Sequence, residues 1–255
     1  MNKIIHAILL MLLISSCSND DTLMIKIKGE IRESDKIVGA LSESMDSHVR
    51  IVFVEIESPG GSPYHSKIIH DKLKEISRTV RVITYCARVC ASGGYYIASA
   101  GDKIYSGNYS LIGNIGVIMN IYNFSGIMEK VGISQKTIKT SKYKDVGNML
   151  RDIEKTELQY LENLAKNMSI MFKDDIEHNR NLLQVNKEEA FSGKIFLAKK
   201  SIKLGLSDEI SNKEDIMNKE NMLNIRNVEI EDVSSFLLKF YNFIFNSYSS
   251  KMEFF

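Results

Sequence analysis

Tryptophan is absent from this 255-residue chain, and proline occurs only twice, at Pro59 and Pro63. Both prolines fall in one turn, so nothing reads as a proline-rich linker. No sign of charge dominates: 33 Lys and Arg face 32 Asp and Glu, a net charge of +1. That balance makes no electrostatic case for nucleic acid or a strongly anionic partner. Cysteine is scarce. Cys17, Cys86 and Cys90, without a matching His or acidic constellation, make no metal site, and no metal or organic cofactor is expected. No internal repeat is visible, and the apolar run near the N-terminus falls short of the about 20 residues that a comfortable membrane span needs. Histidine is missing from the whole stretch between His70 and His178. What remains, 44% hydrophobic and 25% charged, is ordinary for a globular protein. The length allows one large domain or two small ones, with a sizeable core.

The first 16 residues read as an export signal. Lys3 supplies positive charge, Ile4 to Ile14 is apolar except for His6, and Ser15-Ser16 precede Cys17. Small residues before a cysteine resemble the bacterial lipobox, with Cys17 as the lipidated residue. An uncleaved anchor and plain secretion are the alternatives. All three place the remaining chain outside the cytoplasm and near a membrane. Export permits a bridge between Cys86 and Cys90 that stiffens the loop after them; two buried thiols are the expectation.

Apolar and amphipathic segments alternate along the chain. Strands are expected at Met24 to Ile31, Arg50 to Glu57, Val80 to Tyr85, Lys103 to Tyr105, Ile115 to Tyr122 and up to Lys139. Helices are expected at Asp35 to Met45, Ser62 to Ile76, Ser92 to Ala100, Ser125 to Val131, Glu154 to Arg180, Lys187 to Phe191 and Ala198 to Leu204. Repeated βα units imply an α/β fold with a mostly parallel sheet and flanking helices. Beyond Ile210 the chain turns polar to Asn227. A helical stripe of Val233, Phe236, Leu237, Phe240, Tyr241, Ile244 and Tyr248 then needs cover from its own domain, a second subunit or a membrane surface.

Three segments carry chemistry. Ser92 stands between an apolar strand and a helix-like run, followed by Gly93-Gly94. A serine there is either an N-cap or a nucleophile with its hydroxyl presented to solvent. Glu57-Ser58-Pro59-Gly60-Gly61-Ser62 ends another apolar strand, with Ser62 as N-cap and Pro63 as the first helical residue. Its glycine pair is a tight turn, an oxyanion hole or a phosphate cradle, though the spaced glycines and Lys-Ser/Thr of a P-loop are missing. Thr140 to Gly147 holds Lys142 and Lys144. A serine nucleophile needs a base. His65 and His70 are better read as solvated or packed on their helix, so a Ser–Lys pair is the proposal the residues favour. Its amine must be neutral, held so by desolvation or nearby positive charge.

In this order the three segments resemble the SppA-type signal peptide peptidases, the bacterial protease IV family, over about Met24 to Ile210. Ala100-Gly101-Asp102-Lys103-Ile104, Gly113-Asn114-Ile115-Gly116-Val117 and Leu204 to Ile210 strengthen the match. The resemblance implies a ClpP/crotonase-like spiral of ββα units and a single SppA-type serine peptidase domain over 24–210. A signal peptide over 1–16 would precede it, and a polar segment with an apolar amphipathic helix over 211–255 would follow. It implies Ser92 as nucleophile and Lys144, 52 residues later, as base. The N–H groups of Gly61 and Gly93 would form the oxyanion hole. It further implies homo-oligomeric rings in which one subunit's lysine serves another's serine, and apolar peptides such as released signal peptides as substrates. The family's usual serine after Gly113 is replaced by Asn114, whose amide oxygen can accept from an amine and so can orient the lysine. Three other functions are open: a ClpP-like protease with a Ser-His-Asp triad, which the histidine gap disfavours; a non-catalytic, membrane-associated scaffold or peptide-binding module; and, more distantly, an acyl-CoA enzyme of the crotonase type.

Overall fold

A computed structural model describes residues 21–45, 49–180 and 186–231. The expected export signal with Cys17, and the apolar stripe from Val233 onward, lie outside the described residues.

The chain runs β1 (Thr22–Lys28), α1 (Asp35–Met45), β2 (Ile51–Ser58), α2 (Pro63–Ile76), β3 (Arg81–Ala91), α3 (Gly93–Ala98), β4 (Lys103–Ser106), β5 (Leu111–Gly113) and α4 (Ser125–Lys130). It continues with α5 (Lys155–Asn179), α6 (Lys187–Ala190), β6 (Ile195–Leu197), α7 (Ala198–Lys203), β7 (Glu209–Ile210), α8 (Lys213–Lys219) and β8 (Ile225–Glu231). The sheet order is β6-β5-β3-β2-β1-β8, with β4 beside β3 and β7 beside β4. Every pairing is parallel except β5 with β6. This is the mostly parallel sheet with flanking helices that the alternating pattern predicts.

The near-continuous apolar run of β2 follows from cover on both faces. Val52, Val54 and Ile56 join Leu23, Ile25 and Ile27 of β1 under Leu41 of α1 and Ile69, Leu73 and Ile76 of α2. Phe53 faces the other way, with Met24, Ile83, Tyr85, Tyr105 and Ile216 of α8. Its ring stacks on Tyr85 at 6.2 Å and is fully buried. Phe53→Ala is expected to cost about 3–5 kcal/mol. Urea unfolding should show a lower midpoint at unchanged slope, and an unchanged midpoint would remove this second core from the account.

Two motif acids are structural. The Asp102 carboxylate accepts from the Val82 N–H at 2.8 Å, and that of Asp208 from the Ile104 N–H at 2.7 Å. Each satisfies a donor at or near the start of a strand.

Several expectations differ from the structure. Ile115 to Tyr122 and Ser134 to Lys139 form no strand, and every residue from Glu129 to Lys144 is exposed. Their β-branched residues suit a strand, but no strand among the described residues pairs with them, and a strand without a partner gains nothing from its composition. The sheet also continues past Ile210, the expected domain boundary. The polar segment holds α8 and the start of β8, which pairs with β1 from Thr22↔Ile225 to Lys28↔Glu231. The charges of Val228-Glu229-Ile230-Glu231 hide this strand from a reading that looks for continuous apolar runs. Cys86 and Cys90 form a disulfide, not two thiols. A regular strand would hold residues four apart at about 13 Å; a bulge in β3 brings these two Cα atoms to 5.3 Å.

Candidate active site

Ser92 sits in the turn between β3 and α3 with φ 51° and ψ −122°. Non-glycine residues seldom have positive φ, and its cost persists only where neighbours enforce it. Here the Ser92 N–H donates to the Gly113 carbonyl at 2.9 Å, and its C=O accepts from the Tyr96 N–H at 2.9 Å. The side chain makes no capping bond to its own helix. The N-cap alternative therefore lacks its defining contact, and the backbone has the strained strand-to-helix form of a nucleophile elbow.

The glycine turn packs directly against it. A Cβ on Gly60, at φ 107°, would lie 2.7 Å from the Ser92 Cβ. Gly61 bridges Ile31 in parallel: the Ile31 N–H donates to the Gly60 carbonyl at 2.8 Å, and the Ser62 N–H to the Ile31 carbonyl at 2.7 Å. In such a bridge the flanking residues make both bonds, so the N–H of Gly61 itself points away from Ile31. A Cβ there would stand 2.3 Å from the Ile31 oxygen. The turn ends as expected, with Ser62 as N-cap and Pro63 in the first turn of α2. Gly93 opens α3, where the first N–H groups have no partner in the helix. Gly61→Ala is expected to break the bridge to Ile31 and lower kcat by about 10²-fold or more while circular dichroism stays unchanged. Full activity in that variant would dismiss Gly61 as an oxyanion donor.

Ser92, Gly61, Gly93 and Asn114 share one cavity of about 890 Å³. Its walls are largely apolar: Tyr64 and Ile68 from α2, Tyr96 from α3, Val117 and Ile118, and Met168, Met171 and Phe172 from α5. The Tyr96 ring packs on His70 and Phe172, each at 4.6 Å, and its hydroxyl bonds to Asp175. Burial holds the His70 imidazole below its usual pKa. Asn179 Nδ2 donates to its Nε2 at 2.6 Å, and its Nδ1–H faces Asp71 at 2.9 Å. With both ring nitrogens engaged, His70 is a packed residue behind Tyr96, as its helical position suggests. No histidine lines the cavity among the described residues, which leaves a Ser-His-Asp arrangement without its base.

Asn114 has φ 51°, a conformation asparagine tolerates better than most residues. Its N–H donates to the Lys194 carbonyl at 2.8 Å and its Nδ2 to the Gly193 carbonyl at 2.9 Å. The amide is thereby fixed through its nitrogen, in a residue that lines the cavity. The Gly193 loop and the α5 wall were missed by sequence reasoning. Phe191-Ser192-Gly193-Lys194 was a legible signal, a glycine after a short helix, here at φ 75°.

Lys144 is elsewhere. It is exposed in the turn that follows Ser141 and does not line the cavity. That turn is firmly held. Asp145 accepts from Lys139 at 2.5 Å and from Arg151 at 2.9 Å, and Arg151 reaches Glu157 at 2.6 Å. Glu157 in turn closes a capping box on α5 with Glu154. Hydrogen bonds from Arg151 and the Glu154 backbone hold the Glu157 carboxyl at about 2, well under its ordinary 4.5. Because the folded value is the lower one, this anchoring is complete above about pH 4.5 and is lost as pH falls through about 2. A carboxylate NMR titration should place the Glu157 midpoint near 2; a midpoint near 4.5 would mean the clamp is open in solution.

The match to known proteins now bears on this geometry. The model of peptidase family S49 matches residues 74–225, from the end of α2 into β8. The chain belongs to peptidase family S49. It is thus an SppA-type member of a family of serine peptidases. The Clp protease model matches residues 14–111, which agrees with the ClpP/crotonase-like fold. Among S49-type relatives, a candidate protease of Methanocaldococcus jannaschii is 33% identical over 66% of this chain and 54% of its own length. A candidate protease of Synechocystis is 32% identical over 74% of this chain and 69% of its own. The chloroplastic serine protease SPPA of Arabidopsis thaliana is 29% identical over 71% of this chain. The chain spans about half the length of the first relative and a quarter, 25%, of the plant protein.

Proposed function

We propose that this protein is a serine endopeptidase in which Ser92 attacks a peptide carbonyl and Lys144, supplied by a neighbouring copy, is the base. The observation that carries the reading is the strained Ser92 turn, whose residue shares one cavity with Gly61 and Gly93. The neutral lysine takes the hydroxyl proton as the serine oxygen bonds to carbon. The N–H groups of Gly61 and Gly93 hold the oxyanion. The lysine then protonates the leaving amine, and water releases the acyl group by the same route in reverse. Asn114 orients the incoming amine through its amide oxygen.

Supply in trans is supported by where Lys144 lies and by what surrounds it. Ile118, Ile127, Val131, Ile133 and Ile138, with Leu158, Tyr160 and Leu164 on the first half of α5, are exposed in one chain. That much apolar surface calls for a partner, and a second copy both covers it and completes the site. The apolar cavity wall favours extended, apolar peptides such as released signal peptides. The apolar run Ile4 to Ile14, followed by Ser15-Ser16-Cys17, supports a membrane tether, with the domain on the non-cytoplasmic side, where the Cys86–Cys90 bridge is also stable. Among the described residues no helix is long and apolar enough to cross a membrane.

The test is cleavage of an apolar fluorogenic peptide and a synthetic signal peptide by the wild type, Ser92→Ala and Lys144→Ala at matched oligomeric state. Loss in both variants supports the reading. An inactive wild type in an intact oligomer would favour the non-catalytic scaffold instead.

A further inference from the structure

The Cys86–Cys90 bridge ends two residues before Ser92, where β3 changes neighbours. Up to Cys86 the strand pairs with β4; from Val89 it pairs with β5. On its other side Ile56 faces Cys86 and Ser58 faces Cys90. Residues 87–89 of β3 therefore stand opposite Glu57 alone, a bulge that the disulfide spans. Ser110, buried just before β5, fastens the loop from the far side. Its single hydroxyl proton is shared between the carbonyls of Cys86, at 2.6 Å, and Ala87, at 2.9 Å. What leaves the loop is Ala91 and then Ser92, whose N–H is held by Gly113.

The two redox states engage different elements. Oxidised, Cys90 is tied back to Cys86. Its sulfur also lies 3.7 Å from the Gly94 carbonyl in α3, so a reduced thiol finds an acceptor in the helix that follows Ser92. Both cysteines are fully buried, within the core that packs under that helix. The ring encloses only three intervening residues, so it restrains the unfolded chain less than a long-range bridge does. Its effect is on local geometry.

We propose that the Cys86–Cys90 disulfide is a redox-sensitive positioning device: oxidised, it holds the loop that sets Ser92 against Gly61 and Gly93; reduced, it releases that loop and slows catalysis. The inference rests on the reading of Ser92 as nucleophile. The reductant is a dithiol. One of its thiolates attacks a cysteine sulfur, breaking the S–S bond and forming a mixed disulfide, and its second thiolate displaces the protein sulfur. Two electrons and two protons pass to the protein, giving two thiols, and the dithiol leaves as a disulfide.

The full-length protein is compared oxidised and after reduction with dithiothreitol, with alkylation mass shifts confirming that both cysteines are free. Two quantities are read: hydrogen exchange of residues 87–98, and kcat and KM on an apolar peptide. On reduction, exchange should rise in 87–98 and kcat fall about tenfold or more, with KM within about twofold. Glutathione disulfide should reverse both changes. Cys90→Ser should sit at the low kcat and ignore either reagent. Unchanged exchange in 87–98 overturns the inference whether or not the protein cleaves peptides. A pair that resists reduction in the folded protein, or an active enzyme whose kcat ignores reduction, also overturns it. An oxidised protein silent toward peptides, with the exchange response intact, counts against the peptidase reading and for the switch.

Discussion

Ser92→Ala is expected to lower kcat/KM by about 10⁴-fold or more while leaving the fold intact. The two halves of that expectation have separate causes. The hydroxyl is the only atom removed, and it makes no capping bond to α3, so little stability depends on it. The turn is fixed instead by backbone bonds to Gly113 and Tyr96, which alanine retains. Catalysis keeps only what the oxyanion donors and the cavity provide. The check is kcat/KM beside a thermal melt: a melt near the wild type with activity gone is predicted. Activity within about tenfold of wild type would show that another residue attacks.

Lys144→Ala should be as silent, and it allows a sharper experiment. In one chain Lys144 is exposed and absent from the cavity that holds Ser92. If the base comes from a second copy, each subunit lends its lysine to one neighbour's serine in a head-to-tail arrangement. Ser92→Ala and Lys144→Ala subunits, each inactive alone, should then recover activity once mixed and reassembled. Random equimolar assembly gives an intact serine beside an intact lysine at about a quarter of the interfaces. Recovery to about that fraction of wild type is expected. No recovery, with mixed oligomers demonstrated by mass spectrometry, would mean that serine and lysine must come from one chain. The Arg151 clamp holds the Lys144 turn within one chain. It ties the turn after Lys144 to the N-terminus of α5 through Asp145 and Glu157.

The sequence is most legible where local chemistry and tertiary contact agree. Ser62 and Pro63 announce the start of α2, and Leu158, Leu161 and Phe172 announce α5, because capping and helical spacing are local properties. The pairing of the glycine turn with Ser92 is legible only through the resemblance to the SppA-type family. Nothing in the spacing of Gly60 and Ser92 says that they touch. What escaped has physical reasons. Ile115 to Tyr122 has the composition of a strand but pairs with no strand among the described residues. β8 hides behind Glu229 and Glu231, whose charges break up the apolar run that marks the other strands. The Cys86–Cys90 bridge depends on a bulge, which two cysteines at that spacing do not foretell. The cavity wall of Met168, Met171 and Phe172 is a helical stripe whose ordinary reading is core, and only the packing of α5 against Tyr96 turns part of it toward a site.

The most direct test of the central claim is to trap the nucleophile. The full-length protein is incubated with an apolar peptidyl phosphonate, which reacts covalently with activated serines, and the digest is mapped by mass spectrometry. One adduct, on the peptide containing Ser92, is predicted; it should be missing from Ser92→Ala and strongly slowed in Lys144→Ala. An adduct on any other residue, or none on an intact oligomer, would contradict the account.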